Sequence, residues 1–156
     1  MNKKVLIPMA VCLSIIFISG NSLAAKSSGY KTFNGEISLI AGLSVDPWEE
    51  FSVSGMVIAG IGIGNVISLE ASIVFLGSFD IVYSANLGLN IFTRKRVIPF
   101  VTVGLGRCKH RLPYINLGGG IKIGLTDKLG IRVECRGWSA DDVALISVLG
   151  GISYSF

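Results

Sequence analysis

The chain has 156 residues, of which 51% are apolar, only 15% are charged and 20 are glycine. Its length fits one domain, and its charged fraction lies below the roughly one quarter usual for soluble domains. Of the 14 Lys and Arg, Lys3 and Lys4 lie in a signal segment, so the mature chain carries 12 bases against 10 acids, a net charge of +2. This surplus is too small to indicate a nucleic-acid-binding protein.

The first 24 residues have the three parts of a secretory signal peptide. Asn2–Lys4 form a basic region, Val5–Ile18 an apolar stretch, and Ser22-Leu23-Ala24 a small-x-small cleavage site. We therefore expect cleavage after Ala24 and a short N-terminal periplasmic segment over residues 25–34. A retained N-terminal membrane helix is the alternative.

After the signal peptide, no apolar run approaches the ~20 residues of a membrane-spanning helix. Apolar residues instead alternate with serine, glycine and charged residues, which is typical of strands with two different faces. The predicted strands are, in chain order, 35–45, 51–63, 66–76, 83–91, 97–106, 114–125, 129–138 and 146–156. The segments between them are short and rich in turn residues, such as Gly64-Asn65 and Thr126-Asp127-Lys128.

The two faces predict a wall between lipid and a packed lumen. Tyr83, Ala85 and Leu87 alternate with Ser84 and Asn86, for example, whereas Met56 and Ile58 interrupt the pattern in the second strand. About eight strands of ~10–12 residues match the smallest transmembrane barrels, and closure removes exposed strand edges. The sequence therefore predicts an all-β fold, an eight-stranded antiparallel up-and-down transmembrane β-barrel over residues 35–156 with both termini in the periplasm.

Four stretches carry a resemblance to a known family: Pro99–Gly106, Asn116–Gly120, Leu129–Arg136 and the final strand that ends at Phe156. In this order they resemble motifs of the small eight-stranded outer-membrane barrels typified by OmpA and OmpX, a porin-family barrel domain. The resemblance implies export to the outer membrane of a Gram-negative bacterium. It also implies that Ile152, Tyr154 and Phe156 serve as the signal that the barrel assembly machinery reads.

The inward face of the predicted strands carries three acids and three bases: Glu36, Glu70, Lys122, Arg132, Glu134 and Arg136. Unpaired charges would be costly to desolvate there, so we expect mutual ion pairs. Such a cluster could act as a gate on a narrow ion path. A polar plug that fills a barrel too thin for a channel is the favoured interpretation.

Arg107, Lys109 and Arg111 share the outward parity of the fifth strand at its outer end. They could contact lipopolysaccharide phosphates through charge-assisted hydrogen bonds, or belong to a solvated loop. Similarly, Arg94–Arg96 could contact headgroups of the periplasmic leaflet or mark a turn.

Other candidate sites are weak. Barrel enzymes of the lipid A deacylase type are expected to carry a His-x-Ser-Asn motif. Here His110 is followed by Arg111-Leu112-Pro113, so no catalytic site is expected. Cys108 and Cys135 lie on strands separated by one other, about 9–10 Å apart, so we expect free or transient thiols there unless the loop folds over and allows a disulfide. We expect neither a metal site nor a cofactor.

These features predict a monomeric, non-enzymatic outer-membrane protein with a structural or cell-surface role in envelope integrity, adhesion or lipopolysaccharide contact. Its expected partners are outer-membrane lipid, lipopolysaccharide and the assembly machinery. The alternatives are a lipid A-modifying barrel enzyme, a narrow diffusion channel, and a soluble secreted barrel such as a lipocalin. The last would turn its apolar faces inward.

Overall fold

A computed structural model describes residues 35–45, 51–63, 66–75, 81–91, 96–108, 113–140 and 143–156. Within these residues, eight strands follow one another: β1 (Glu36–Val45), β2 (Phe51–Ile63), β3 (Ile67–Phe75), β4 (Ile81–Asn90), β5 (Val97–Cys108), β6 (Pro113–Gly124), β7 (Leu129–Ala140) and β8 (Val143–Ser155). The predicted signal peptide and the segment 25–34 lie outside the described residues. In the part of the chain that is described, no helix is long and apolar enough to cross a membrane.

Each strand pairs antiparallel with the next, and β8 pairs with β1 to close the barrel. The register sets its width. A path of paired residues that starts at Val45 passes through Ile146 and round the wall to Ile61. Glu36 pairs with Gly60, so the next residue of β2, Ile61, lies opposite Gly35. One circuit of the barrel therefore shifts the path by ten residues along β1, from Val45 to Gly35. An eight-stranded barrel with such a stagger is just wide enough for side chains to fill.

The two faces of the wall have inverted polarity compared with a soluble protein. Apolar side chains point outward and are exposed, among them Leu39 (53%), Val53 (71%) and Leu105 (64%). Along β3 and β4, exposed and buried residues alternate without interruption. A continuous apolar surface of this kind suits a wall in contact with lipid. The predicted transmembrane barrel, with apolar side chains outside, is therefore confirmed.

The strand bounds differ from the predicted ones mainly at the end of the barrel opposite the chain termini. β5 extends to Cys108, two residues past the predicted end at Gly106, because Arg107 still pairs with Tyr83 on β4. The predicted loop over Ser139–Asp142 is wrong in part, since β7 runs to Ala140 and β8 begins at Val143. Backbone pairing continues there although the alternation of side chains has stopped.

The seam between β1 and β8 depends on two inward-facing glycines. A Cβ on Gly42 would overlap the carbonyl oxygen of Val148 and lie 2.9 Å from the Cα of Leu149. A Cβ on Gly151 would likewise overlap the carbonyl oxygen of Leu39. Glycine has no Cβ, so it permits this close approach of one backbone to another.

Candidate functional site in the barrel lumen

The lumen contains two regions that differ in chemistry. One lies toward the end of the barrel where Gly35 and Phe156 are found, here called the terminal end, and it holds the charged residues. The other lies toward the opposite end and is apolar. Residues two apart on a strand share a face, so β7 alone contributes Arg132, Glu134 and Arg136 to the charged region.

Arg132 is the centre of the charged region and is fully buried. Its Nη1 and Nη2 donate to the two carboxylate oxygens of Glu70 at 3.1 and 2.9 Å, and its Nε donates to Glu134 at 2.9 Å. Bidentate contacts between guanidinium and carboxylate are among the strongest hydrogen-bonded pairs in proteins. Because Glu70 is on β3 and Arg132 is on β7, this pair spans the lumen.

The remaining charges extend the network in both directions. Lys122 Nζ donates to Glu36 at 2.8 Å and lies 3.8 Å from Glu70. Arg136 Nε donates to Glu134 at 2.5 Å. The structure thus brings together all six residues that sequence parity directs into the lumen. Three carboxylates offset three cations, and the set is neutral as a whole.

Aromatic rings support the cations. The Phe100 ring lies 4.5 Å from the guanidinium carbon of Arg132 and 5.4 Å from Lys122 Nζ, and the Trp138 ring lies 5.5 Å from Arg136. A ring face attracts a nearby cation, most strongly where water is excluded. Phe100 is therefore a member of the cluster. It was not predicted from the sequence, because only charged residues at inward-facing positions were considered.

The apolar region of the lumen has no counterpart in the sequence predictions. Its buried members are Ile40, Met56, Ile58, Val74, Val82, Cys108, Trp138 and Leu149. Met56 and Ile58, which interrupt the alternation in the second strand, are in fact inward-facing members of this cluster. These two residues were the sequence signal for the apolar cluster, because they occupy positions of β2 that face inward. The remaining members come from six strands and do not form a local pattern.

Within the lumen, hydroxyl groups also join neighbouring strands. Ser72 Oγ and Ser84 Oγ are 2.5 Å apart, and Ser44 Oγ lies 2.5 and 2.6 Å from the hydroxyls of Ser54 and Ser147. All five serines are buried. Most buried hydroxyls in proteins have hydrogen-bond partners, and these five serines find theirs on the adjacent strands.

A cavity of about 20 Å³ remains next to the charged cluster, with room for about one water molecule. Its lining includes Glu36, Glu70, Lys122 and Arg132. The charged residues satisfy one another in a closed, neutral ion network, and the remaining cavity is too small for a ligand larger than water. Among the described residues, no group of three His, Cys, Asp or Glu side chains is placed to hold a metal ion.

The other sequence-predicted residues lie away from the lumen network. Arg107 is exposed on the outer face at the end of β5, whereas Lys109, His110 and Arg111 lie outside the described residues. Ile152, Tyr154 and Phe156 are exposed by 59%, 44% and 62% on the outer face of β8.

The two cysteines point to opposite sides of the wall. Cys108 is buried in the lumen and Cys135 is half-buried on the outer face, and no disulfide joins them.

No family model and no curated protein matches the chain. Solved structures do match it. Neisserial surface protein A (NspA) is 14% identical, with a TM-score of 0.64 over 79% of this chain and 97% of that one. The N-terminal β-barrel domain of Pseudomonas aeruginosa OprF is 14% identical, with a TM-score of 0.63 over 80% and 98%.

A structure from the de novo design of transmembrane β-barrels is also similar, at 13% identity and a TM-score of 0.62 over 80% of this chain and 98% of that one. At such low identity these likenesses concern the fold alone. They confirm the resemblance: the chain has the fold of the small eight-stranded outer-membrane barrels typified by OmpA and OmpX.

Proposed function

We propose that this protein is an integral barrel of the bacterial outer membrane with a structural or cell-surface role, and that it is neither a pore nor an enzyme. One observation carries the proposal: the wall exposes apolar side chains on every strand, while the cluster of three acids and three bases lies inside it. Water would penalise the first arrangement, and lipid stabilises it. A monomer inserted in lipid satisfies both faces.

A closed lumen argues against a diffusion channel. The neutral network from Arg136 to Glu36 occupies one part, and the apolar cluster around Met56 and Leu149 occupies the other. An ion on this path would have to displace a buried ion pair and then cross an apolar layer without hydration, which is costly.

Lipopolysaccharide is the partner that the outer end of β5 suits best. Arg107 is exposed next to Tyr83, its paired residue on β4, which is itself 55% exposed. A guanidinium beside an amphipathic ring at the margin of an apolar wall fits the level of lipid headgroups. Lys109 and Arg111, which follow in the sequence, would add charge for lipid A phosphates. The name of NspA, a surface protein, is in keeping with such a role.

Assembly would use the last strand. Ile152, Tyr154 and Phe156 form one exposed apolar row on β8, and the N–H of Phe156 donates to the carbonyl oxygen of Gly35 at 3.1 Å. In the closed barrel both edges of β8 are paired, with β7 and β1. The assembly machinery would therefore read this strand before closure.

Fractionation of cells that express the full chain tests the proposal. We expect the protein in the outer-membrane fraction, with gel migration that changes on heating, and no steady conductance of the purified protein in planar lipid bilayers. Recovery in the soluble periplasmic fraction would contradict the membrane role. Reproducible single-channel steps would instead support a channel.

Lipid A mass spectra of the same cells address the enzymatic alternative. We expect identical lipid A in cells with and without the protein, and therefore no effect of His110→Ala. A modified lipid A that disappears in the His110→Ala variant would contradict the non-enzymatic role.

A further inference from the structure

We propose that the terminal end of the barrel carries a binding site for anionic phospholipid headgroups, centred on Arg96 and Lys128. Both side chains are exposed, and they lie on the neighbouring connections between β4 and β5 and between β6 and β7. The inference rests on the proposed function, since it takes this end to face the periplasm. Its ligand would be phosphatidylglycerol or a similar anionic phospholipid of that leaflet.

Arg96 is held in place by the neighbouring strand. Its Nε donates to the carbonyl oxygen of Gly124 at 2.7 Å, and the N–H of Gly124 donates back to the Arg96 carbonyl at 2.9 Å. A guanidinium has five N–H donors, so four on the two Nη groups remain for a ligand. That pair of Nη groups is the part that binds phosphate oxygens in a bidentate manner.

Lys128 projects from a turn with a fixed backbone. Thr126 Oγ1 accepts hydrogen bonds from the N–H groups of Lys128 and Leu129 at 3.2 and 2.9 Å, and the Lys128 carbonyl accepts one from Ser155 at 2.8 Å. Only the side chain therefore has to be ordered when a ligand binds. Pre-organisation of this kind lowers the entropy cost of binding.

The surface beside the two cations favours a lipid over a soluble anion. Leu125 and Leu129 are exposed by 49% and 44%, and Tyr154 and Phe156 by 44% and 62%. Tyr154 pairs directly with Leu129. Exposed aromatic and apolar side chains below a cation match the headgroup level of a bilayer, where acyl chains cover the apolar part and the phosphate meets the charge.

The distribution of charged residues between the two ends of the barrel also favours an anionic ligand at the terminal end. The connections at the terminal end contain one acid, Asp127, and the sequence adds Arg94 and Lys95 to Arg96 and Lys128. The connections at the opposite end contain two bases, Lys109 and Arg111, against six acids: Asp46, Glu49, Glu50, Asp80, Asp141 and Asp142. Since the lumen cluster is neutral, the terminal end is the cationic pole of the barrel, and an anionic headgroup complements it.

Native mass spectrometry tests the site. The full-length protein is released from mixed micelles with equal amounts of phosphatidylcholine and phosphatidylglycerol, and the retained lipid is measured. We expect a preference for phosphatidylglycerol of roughly fivefold for each cation at low salt, which declines as salt is raised.

Two double variants separate charge from structure. Arg96→Gln with Lys128→Gln removes both charges, and Arg96→Lys with Lys128→Arg keeps both. Each loses the contact between Arg96 Nε and Gly124, so the loss of that contact does not distinguish them, whereas their charge does. The first should lose most of the preference and the second should retain it.

Equal retention of phosphatidylglycerol by the wild type and the Gln variant would overturn the inference. So would binding to sedimented peptidoglycan with no preference between the two lipids. Insertion into phosphatidylcholine vesicles is measured alongside: a protein that inserts without lipid preference refutes only this site, and one that enters no bilayer refutes the proposed function as well.

Discussion

Arg132 on β7 and Glu70 on β3 form a bidentate ion pair across the lumen, with N–O distances of 3.1 and 2.9 Å. Neither strand is hydrogen-bonded to the other in the sheet. The pair therefore links opposite sides of the wall, and Arg132 simultaneously binds Glu134. Loss of one partner would leave carboxylates buried without compensation.

Arg132→Ala should lower the free energy of unfolding by ~3–5 kcal/mol, the usual cost of removing one partner from a buried pair. Urea unfolding in detergent micelles or vesicles measures it. Arg107→Ala is the control, because Arg107 is exposed and its loss should cost less than about 0.5 kcal/mol. Equal stability of the two variants would argue against the network as a stabilising element.

Val103→Arg tests whether the wall faces lipid. Val103 is 48% exposed near the middle of β5, and an arginine at the bilayer midplane of a barrel costs ~2–4 kcal/mol of folding free energy. Phe51→Arg, at the end of β2 where the side chain is 75% exposed, should cost only ~0–1 kcal/mol. Similar effects at both positions in lipid vesicles would mean that the wall is not embedded as described.

Gly42→Ala should destabilise the barrel by ~3 kcal/mol, or prevent closure, because the new methyl group overlaps the backbone of β8. Gly55→Ala is the matched control on the adjacent strand, since its methyl group would find its nearest neighbour, the Ile40 carbonyl oxygen, only at 4.0 Å. The yield of heat-modifiable protein after refolding measures closure. A normal yield for Gly42→Ala would contradict the tight seam.

Leu149→Ala should cost ~2–5 kcal/mol, because Leu149 is 1% exposed within the apolar cluster and its truncation leaves a cavity. Val148→Ala, one residue away on the lipid-facing side and 55% exposed, should cost less than about 1 kcal/mol, because acyl chains can occupy the space. Denaturant unfolding of both variants in the same vesicles compares them. A larger effect at Val148 would contradict the packed lumen.

Much of the fold could be predicted from alternation alone. The second strand is found over 51–63 as expected, and the inward parity of Glu70, Arg132 and Glu134 agrees with their burial. Strand ends were less predictable. The pairing of Ala140 with Val143 continues the hairpin of β7 and β8 where side-chain alternation no longer marks it.

The sequence predicted which charged residues form the candidate site, but not which of them contact one another. Parity identified the six charged residues, but not that Lys122 pairs with Glu36 while Arg132 takes Glu70 and Glu134. These partners are up to 86 positions apart, and their proximity depends on the stagger of the closed sheet. The apolar cluster was missed for the same reason. Each contributing strand supplies only one or two inward-facing apolar residues, and their contact becomes evident only in the closed barrel.

The amino-acid order by itself determined which side of each strand is apolar, because successive side chains of an extended chain point in opposite directions. It thereby determined the membrane-facing wall and the charge of the lumen. Only the closed tertiary structure decided which inward side chains meet, because distance across the lumen depends on strand number and stagger, which are properties of the whole sheet.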